Sequence, residues 1–128
     1  MAATEENLVK VTVRGFTRSI ILWLVSRKPC SGYEIIKEIK RLTGQDLKTG
    51  NVYPLLYELE EKGFIRGRWA EKGRRRIKYY SATKRGRKIL DKMKKLFELP
   101  IRDALIDLLG EEQPVVYRKR VYNKDLIK

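Results

Sequence analysis

Lys72, Arg74, Arg75 and Arg76 stand within a six-residue stretch, 71–76, whose one acid is Glu71. Four cations so close together repel one another unless an anion lies against them, and a row of nucleic-acid phosphates is such an anion. Upstream, Lys48, Thr49, Gly50, Asn51, Tyr53 and Tyr57 gather near the start of a helical pattern. An asparagine amide there can read a base edge, and threonine or tyrosine hydroxyls can donate to phosphates. This is binding chemistry, and bond-making chemistry has few candidates. The chain has no histidine, and Cys30 is its single cysteine. An intrachain disulfide, a thiolate zinc site and a Ser-His or Cys-His nucleophile pair are therefore excluded. The carboxylates are scattered rather than clustered. The expectation is a protein that is not an enzyme, with no cofactor and no metal.

The charge is as uneven as the motifs. The 128 residues carry 30 Lys+Arg against 16 Asp+Glu, a formal charge of +14. Residues 1–64 hold 10 cations and 8 acids, whereas 65–128 hold 20 and 8. From Lys62 to Lys95, 15 cations meet only Glu71 and Asp91. The partner should be acidic, either nucleic acid or an anionic membrane surface. The longest apolar run, 20–25, is core-helix length and far short of a membrane span. The N-terminus is acidic and lacks an apolar run of signal-peptide type. A cytoplasmic, nucleoid-associated prokaryotic protein without membrane contact is expected. The hydrophobic fraction of 42% is enough for one core.

Three helical patterns precede the basic stretch. The first, over 16–27, carries Phe16, Ile20, Trp23 and Leu24 and ends where Lys28 meets Pro29. Ser31 with Glu34 has capping-box spacing and opens a helix carrying Ile35, Ile36, Ile39 and Leu42, closed by Gly44. The third starts at Thr49 or Gly50, puts Val52, Leu55, Leu56 and Leu59 on one side, and stops at Gly63. Pro54 is expected in its first turn or close to it. Gly50, Tyr53, Pro54, Tyr57 and Glu61 are left on the other face. Residues 64–70 and 76–82 then read as strands around a glycine-containing loop, 71–75. Thr83 caps a long amphipathic helix that Pro100 should kink or end, with an apolar stripe running on to Gly110. Residues 8–13 alternate like a short strand or form an arm. The tail from 111 to 128 is polar and basic and reads as loosely ordered unless a partner docks it.

This order predicts a mostly α protein with a small β-hairpin (α+β): a winged helix-turn-helix domain plus a C-terminal dimerisation helix. The divisions are an N-terminal arm (1–13), the DNA-binding domain (14–86), the dimerisation helix (87–110) and the basic tail (111–128). Two helices would buttress a recognition helix, 50–62, whose N-terminal end enters the major groove. The acids Glu58, Glu60 and Glu61 avoid the phosphates only with that end inserted first. The wing, 71–76, would lie on flanking backbone or minor groove. The stripe of Ile89, Met93, Leu96, Phe97, Ile101, Leu105 and Leu108 is too long for so small a core to bury, which favours a dimer over an exposed patch.

The sequence resembles the PadR family of winged-helix transcriptional regulators over roughly residues 14–90. The likeness rests on Ser31-Gly32-Tyr33-Glu34-Ile35, on Asn51-Val52-Tyr53-Pro54-Leu55-Leu56-Tyr57, and on Tyr79-Tyr80-Ser81-Ala82-Thr83-Lys84-Arg85-Gly86, in that order. The resemblance implies a homodimer joined through the C-terminal helices, a roughly palindromic operator in double-stranded DNA, and repression of a neighbouring gene. It implies that Tyr33, Thr49, Asn51, Tyr53 and the wing arginines face DNA. Some relatives release DNA on binding a small aromatic effector, and one group stacks it on a C-terminal tryptophan. Here that region has Leu96 and Phe97, and the tryptophans are Trp23 and Trp69.

Blander roles remain open for several of these residues. Tyr33 could pack on the hairpin instead of reaching phosphate. Asn51 could cap its own helix, and the cations 84–95 could form a solvated face. At least one of Tyr79 and Tyr80 should be core, and Cys30 reads as an inert small apolar residue. The alternative functions are a non-specific architectural DNA-binding winged-helix protein and a protein–protein adaptor presenting Tyr53, Pro54 and Tyr57.

Overall fold

The computed structural model describes residues 4–44 and 49–110, side chains at 49 and 50 excepted. Its first unit, Met1–Leu90, holds the core. Helix α1 spans Glu5–Arg27 and strand β1 Cys30–Ser31. Helices α2 (Gly32–Thr43) and α3 (Thr49–Glu61) follow, then strands β2 (Ile65–Lys72) and β3 (Arg75–Ala82), then helix α4 (Lys84–Leu96). The protein is mostly helical with a small antiparallel sheet.

Residues 8–13 are helical rather than a strand, because α1 begins at Glu5. Thr4 caps it by accepting from the Asn7 amide, and Glu5 and Glu6 sit where the helix dipole favours negative charge. The β-branched alternation that mimics a strand is absorbed helically: the hydroxyls of Thr12 and Thr17 donate to the carbonyls of Leu8 and Val13. Pro29 then forces extended backbone, and Cys30–Ser31 pair with Tyr80 and Tyr79. That two-residue strand has no periodicity to announce it.

The sheet order is β1-β3-β2, so β3 is central and β2 is an edge. The loop is tighter than 71–75. Lys72 pairs with Arg75, leaving a two-residue turn at Gly73-Arg74. Gly73 has φ 65° and Arg74 has no positive φ, the pattern of a turn with glycine at its first central position. Ile21, Leu22 and Val25 of α1, Ile35 and Ile39 of α2, Val52, Leu56 and Leu59 of α3, and Ile65 and Tyr80 of the sheet form the core. Ser31 makes both bonds of its capping box, and Thr83 accepts from the Gly86 amide at 3.1 Å to start α4. Pro54 is the sixth residue of α3, close to its first turn as expected, and brings no N–H to the Gly50 carbonyl one turn back.

The second unit comprises residues 91–128, described as far as Gly110. After α4, a π-helical segment, Phe97–Ile101, contains Pro100 and leads into α5 (Arg102–Leu109). The wide turn closes with the Arg102 amide donating to the Phe97 carbonyl, a ring that spans the proline. The expected interruption at Pro100 thus takes the form of a π turn. The expectation for 111–128 lies outside the described residues. Among the described residues, no helix is long and apolar enough to cross a membrane.

Candidate nucleic-acid interface

Helix α3 sorts its residues by burial. Val52, Leu55, Leu56 and Leu59 are buried, while Asn51, Pro54 and Tyr57 are exposed. Asn51 is the third residue of the helix, so it does not occupy the cap position. Lys48 lies outside the described residues, as does the side chain of Thr49.

Tyr53 is half-buried rather than free. Its ring lies over the start of α2, so close that a Cβ at Gly32 would stand 2.6 Å from Cε1 and 2.7 Å from the hydroxyl oxygen. Only glycine gives the ring that space. The Tyr53 and Tyr57 ring centroids are 6.4 Å apart, tilted at 35°. Tyr33, one residue past Gly32, is 71% exposed and does not pack into the core. Tyr33, Tyr53, Tyr57, Trp69, Arg76 and Lys78 line one groove between the N-terminal side of α2 and α3 and the hairpin.

Two of the three acids of α3, Glu58 and Glu60, are tied back to the scaffold. Arg18 on α1 meets Glu58 through Nε at 2.6 Å and Nη2 at 3.2 Å, and Lys62 lies 3.7 Å away. The Arg18 hydrogen bond holds the Glu58 carboxyl below its ordinary range. Glu60 accepts from Lys78 Nζ at 2.8 Å and from the Gly67 amide at 2.9 Å. The Lys78 hydrogen bond lowers the Glu60 carboxyl, and the same bond raises Lys78. Two carboxylates that would repel phosphate are neutralised pairwise, and each pair fixes α3 to another element.

The register divides the hairpin into two faces. Gly67 opposes Tyr80 and Trp69 opposes Lys78, while Arg66 opposes Ser81 and Arg68 opposes Tyr79. On the first face Tyr80 is buried, and Lys78 lies 5.2 Å from its ring and 5.9 Å from that of Trp69. Arg76 stacks on Trp69 at 5.3 Å, which orders a long side chain near the wing tip. Lys72, Arg74, Arg75 and Arg76 are all exposed.

Two groups beside this site have no sequence signal of their own. Lys10 and Arg14 of α1 share a small cleft with Asn51 and Leu55, because the helical course of 5–27 carries them past the start of α3. Lys78 acts as a brace, and only the register puts it within reach of Glu60. Of the C-terminal stripe, Ile89, Met93, Leu96 and Ile101 are half-buried, and Phe97, Leu105 and Leu108 are exposed. Cys30 is buried, and burial raises its thiol above the ordinary value.

A buried helical trio, an exposed helix face with Asn51 and Tyr57, and a cationic hairpin beside it define a winged helix-turn-helix protein. The sequence matches the transcriptional regulator PadR-like family over residues 21–92, and the chain belongs to that family. It is thus a transcriptional regulator of the DNA-binding kind, not an enzyme. A PadR family transcription regulator from hypervirulent Clostridium difficile is 29% identical, with a TM-score of 0.66 over 74% of this chain and 99% of that one. A transcriptional regulator from Clostridium thermocellum is 28% identical, with a TM-score of 0.65 over 75% and 91%. A PadR-like transcriptional regulator from Bacillus cereus shares the fold at 23% identity and a TM-score of 0.68, over 76% and 94%. No match was found among curated proteins.

Proposed function

We propose that the protein is a sequence-specific repressor that acts as a homodimer on a palindromic operator. The observation that carries this reading is the groove in which the exposed edge of α3 and the Trp69–Arg76 stack converge, with Glu58 and Glu60 of α3 ion-paired away from it. Helix α3 enters the major groove by its N-terminal end, with Asn51 on a base edge. Tyr33 and Tyr57 donate to phosphates, and Lys72, Arg74, Arg75 and Arg76 hold the flanking backbone. Tyr53 sets the angle between α2 and α3 and reaches DNA only with its groove-facing edge. Lys10 and Arg14 add phosphate contacts beside Asn51.

The dimer is supported by apolar surface that the single chain leaves uncovered. Phe97, Leu99, Leu105, Leu108 and Leu109 are exposed, as are Leu8, Val9 and Val11. The stripe from Ile89 through Leu108 supplies the contact between the two C-terminal helices.

Selection of the full chain against random duplexes near physiological salt tests the reading. A palindromic consensus with half-sites about one helical turn apart supports it. Enrichment without any consensus would favour a non-specific architectural protein, and absence of duplex binding would favour a protein–protein adaptor.

A further inference from the structure

The hairpin has a second face whose part nearest α4 lies outside the recognition groove. Arg66, Arg68, Tyr79 and Ser81 share it by register with Lys72 and Arg75 of the wing tip, opposite to the side on which Lys78 and Tyr80 meet α3. Lys84 and Arg85, at the start of α4, join Arg66, Arg68, Tyr79 and Ser81 in lining one shallow groove. All four cations of this groove are exposed, and none has a carboxylate partner among the described residues. Arg85 is held in place by its bond to the Lys62 carbonyl, 2.9 Å, and its stacking on Phe64, 5.0 Å. Glu60 also lines the groove, but its carboxylate is committed to Lys78 and the Gly67 amide.

Charged side chains on an edge strand commonly serve to prevent sheet-to-sheet pairing. Edge protection needs only charge on the strand itself. Here the charge has one sign, continues onto α4, and is interleaved with tyrosine and serine hydroxyls. That combination is the one phosphate backbones attract.

We propose that this outer face binds the phosphate backbone of a second DNA duplex, so that the protein bridges two duplexes. The inference rests on the DNA-binding reading above. Trp69 and Tyr79 border both grooves, but Arg66, Arg68, Ser81, Lys84 and Arg85 line only the outer one, so a straight duplex in the recognition groove leaves these four cations uncovered. The contact is electrostatic and sequence-independent, and it weakens with salt.

A sandwich capture tests it. A short duplex is immobilised, the full-length protein is bound, and retention of a labelled second duplex of unrelated sequence is measured across a salt series. Wild-type protein retains the second duplex, and Arg66→Gln/Arg68→Gln reduces that retention about tenfold while holding the immobilised duplex within about twofold of wild type. Lys84→Gln gives a smaller loss in the same direction. Wild-type protein that holds the first duplex and captures no second one overturns the proposal. So does a double variant that bridges as well as wild type, which would assign bridging to the two recognition sites of a dimer. A double variant weakened only on long single duplexes also overturns it, placing the outer face on flanking DNA instead. Failure to hold even the immobilised duplex would contradict the DNA-binding reading itself.

Discussion

Lys78 of β3 and Glu60 of α3 meet at 2.8 Å across 18 residues of sequence, and this pair locks the wing to the recognition helix. Glu60 completes the bridge by accepting from the Gly67 amide of β2, so one carboxylate holds both strands of the hairpin. Glu58 does the same for α1 through Arg18. The orientation of the exposed face of α3 therefore depends on two glutamates that themselves point away from the groove.

Both carboxylates titrate below their ordinary range in the folded protein. Their contribution to stability is fully present above the unfolded carboxylate value, near 4.3, and is lost as pH falls through the lower folded values. Thermal unfolding followed from neutral pH to pH ~3 should show a steep acid loss. Glu58→Gln/Glu60→Gln is expected to lie below wild type at neutral pH and to converge with it in acid. Parallel curves for the two proteins would contradict this linkage.

Asn51→Ala and a wing variant should fail in different ways. Loss of the Asn51 amide is expected to weaken operator binding by about 1–3 kcal/mol while leaving random duplex unaffected. Arg74→Ser/Arg75→Ser should weaken both substrates alike and flatten the dependence of log affinity on log salt by about one unit for each arginine removed from a phosphate. Titrations of both duplexes at several salt concentrations separate the two patterns.

Gly32→Ala puts a methyl group into the Tyr53 ring. The ring must move, at an expected cost of roughly 1–2 kcal/mol in stability, with a shift in the groove that lowers operator affinity. Because the clash involves one partner, Tyr53→Ala should cost less in the Gly32→Ala background than in wild type. A double-mutant cycle by chemical denaturation measures this coupling; additive effects would show that the two positions are independent.

Leu105→Glu/Leu108→Glu places charge on the exposed C-terminal stripe. The variant should sediment as a monomer at concentrations where wild type is a dimer, and bind a palindromic site with the weaker affinity of one half-site. Unchanged sedimentation would remove the stripe from the dimer interface.

Much of the architecture is legible without coordinates, because it follows from local chemistry. Ser31 and Glu34 announce a helix start, Pro29 a stop, and the row Val52, Leu55, Leu56 and Leu59 a buried helix face. Each signal acts within one or two turns of chain. The strand-like alternation of 8–13 misleads because β-branched residues tolerate a helix once Thr4 caps it and their hydroxyls bond back to the preceding turn. The loop comes out too long in sequence because Lys72 and Arg75 are polar, although they pair across the strands.

The amino-acid order by itself determined where the cations concentrate and the succession of helices and hairpin that carries them. Only the tertiary structure decided which glutamates are silenced by Arg18 and Lys78, that Tyr53 rests on Gly32, and that Arg75 and Arg76 line the recognition groove while Arg66 and Arg68 line the other. The physical reason is one of range. Capping, turn chemistry and amphipathic periodicity act between near neighbours, whereas ion pairing across 40 residues and the sidedness of a strand exist only once the register is set.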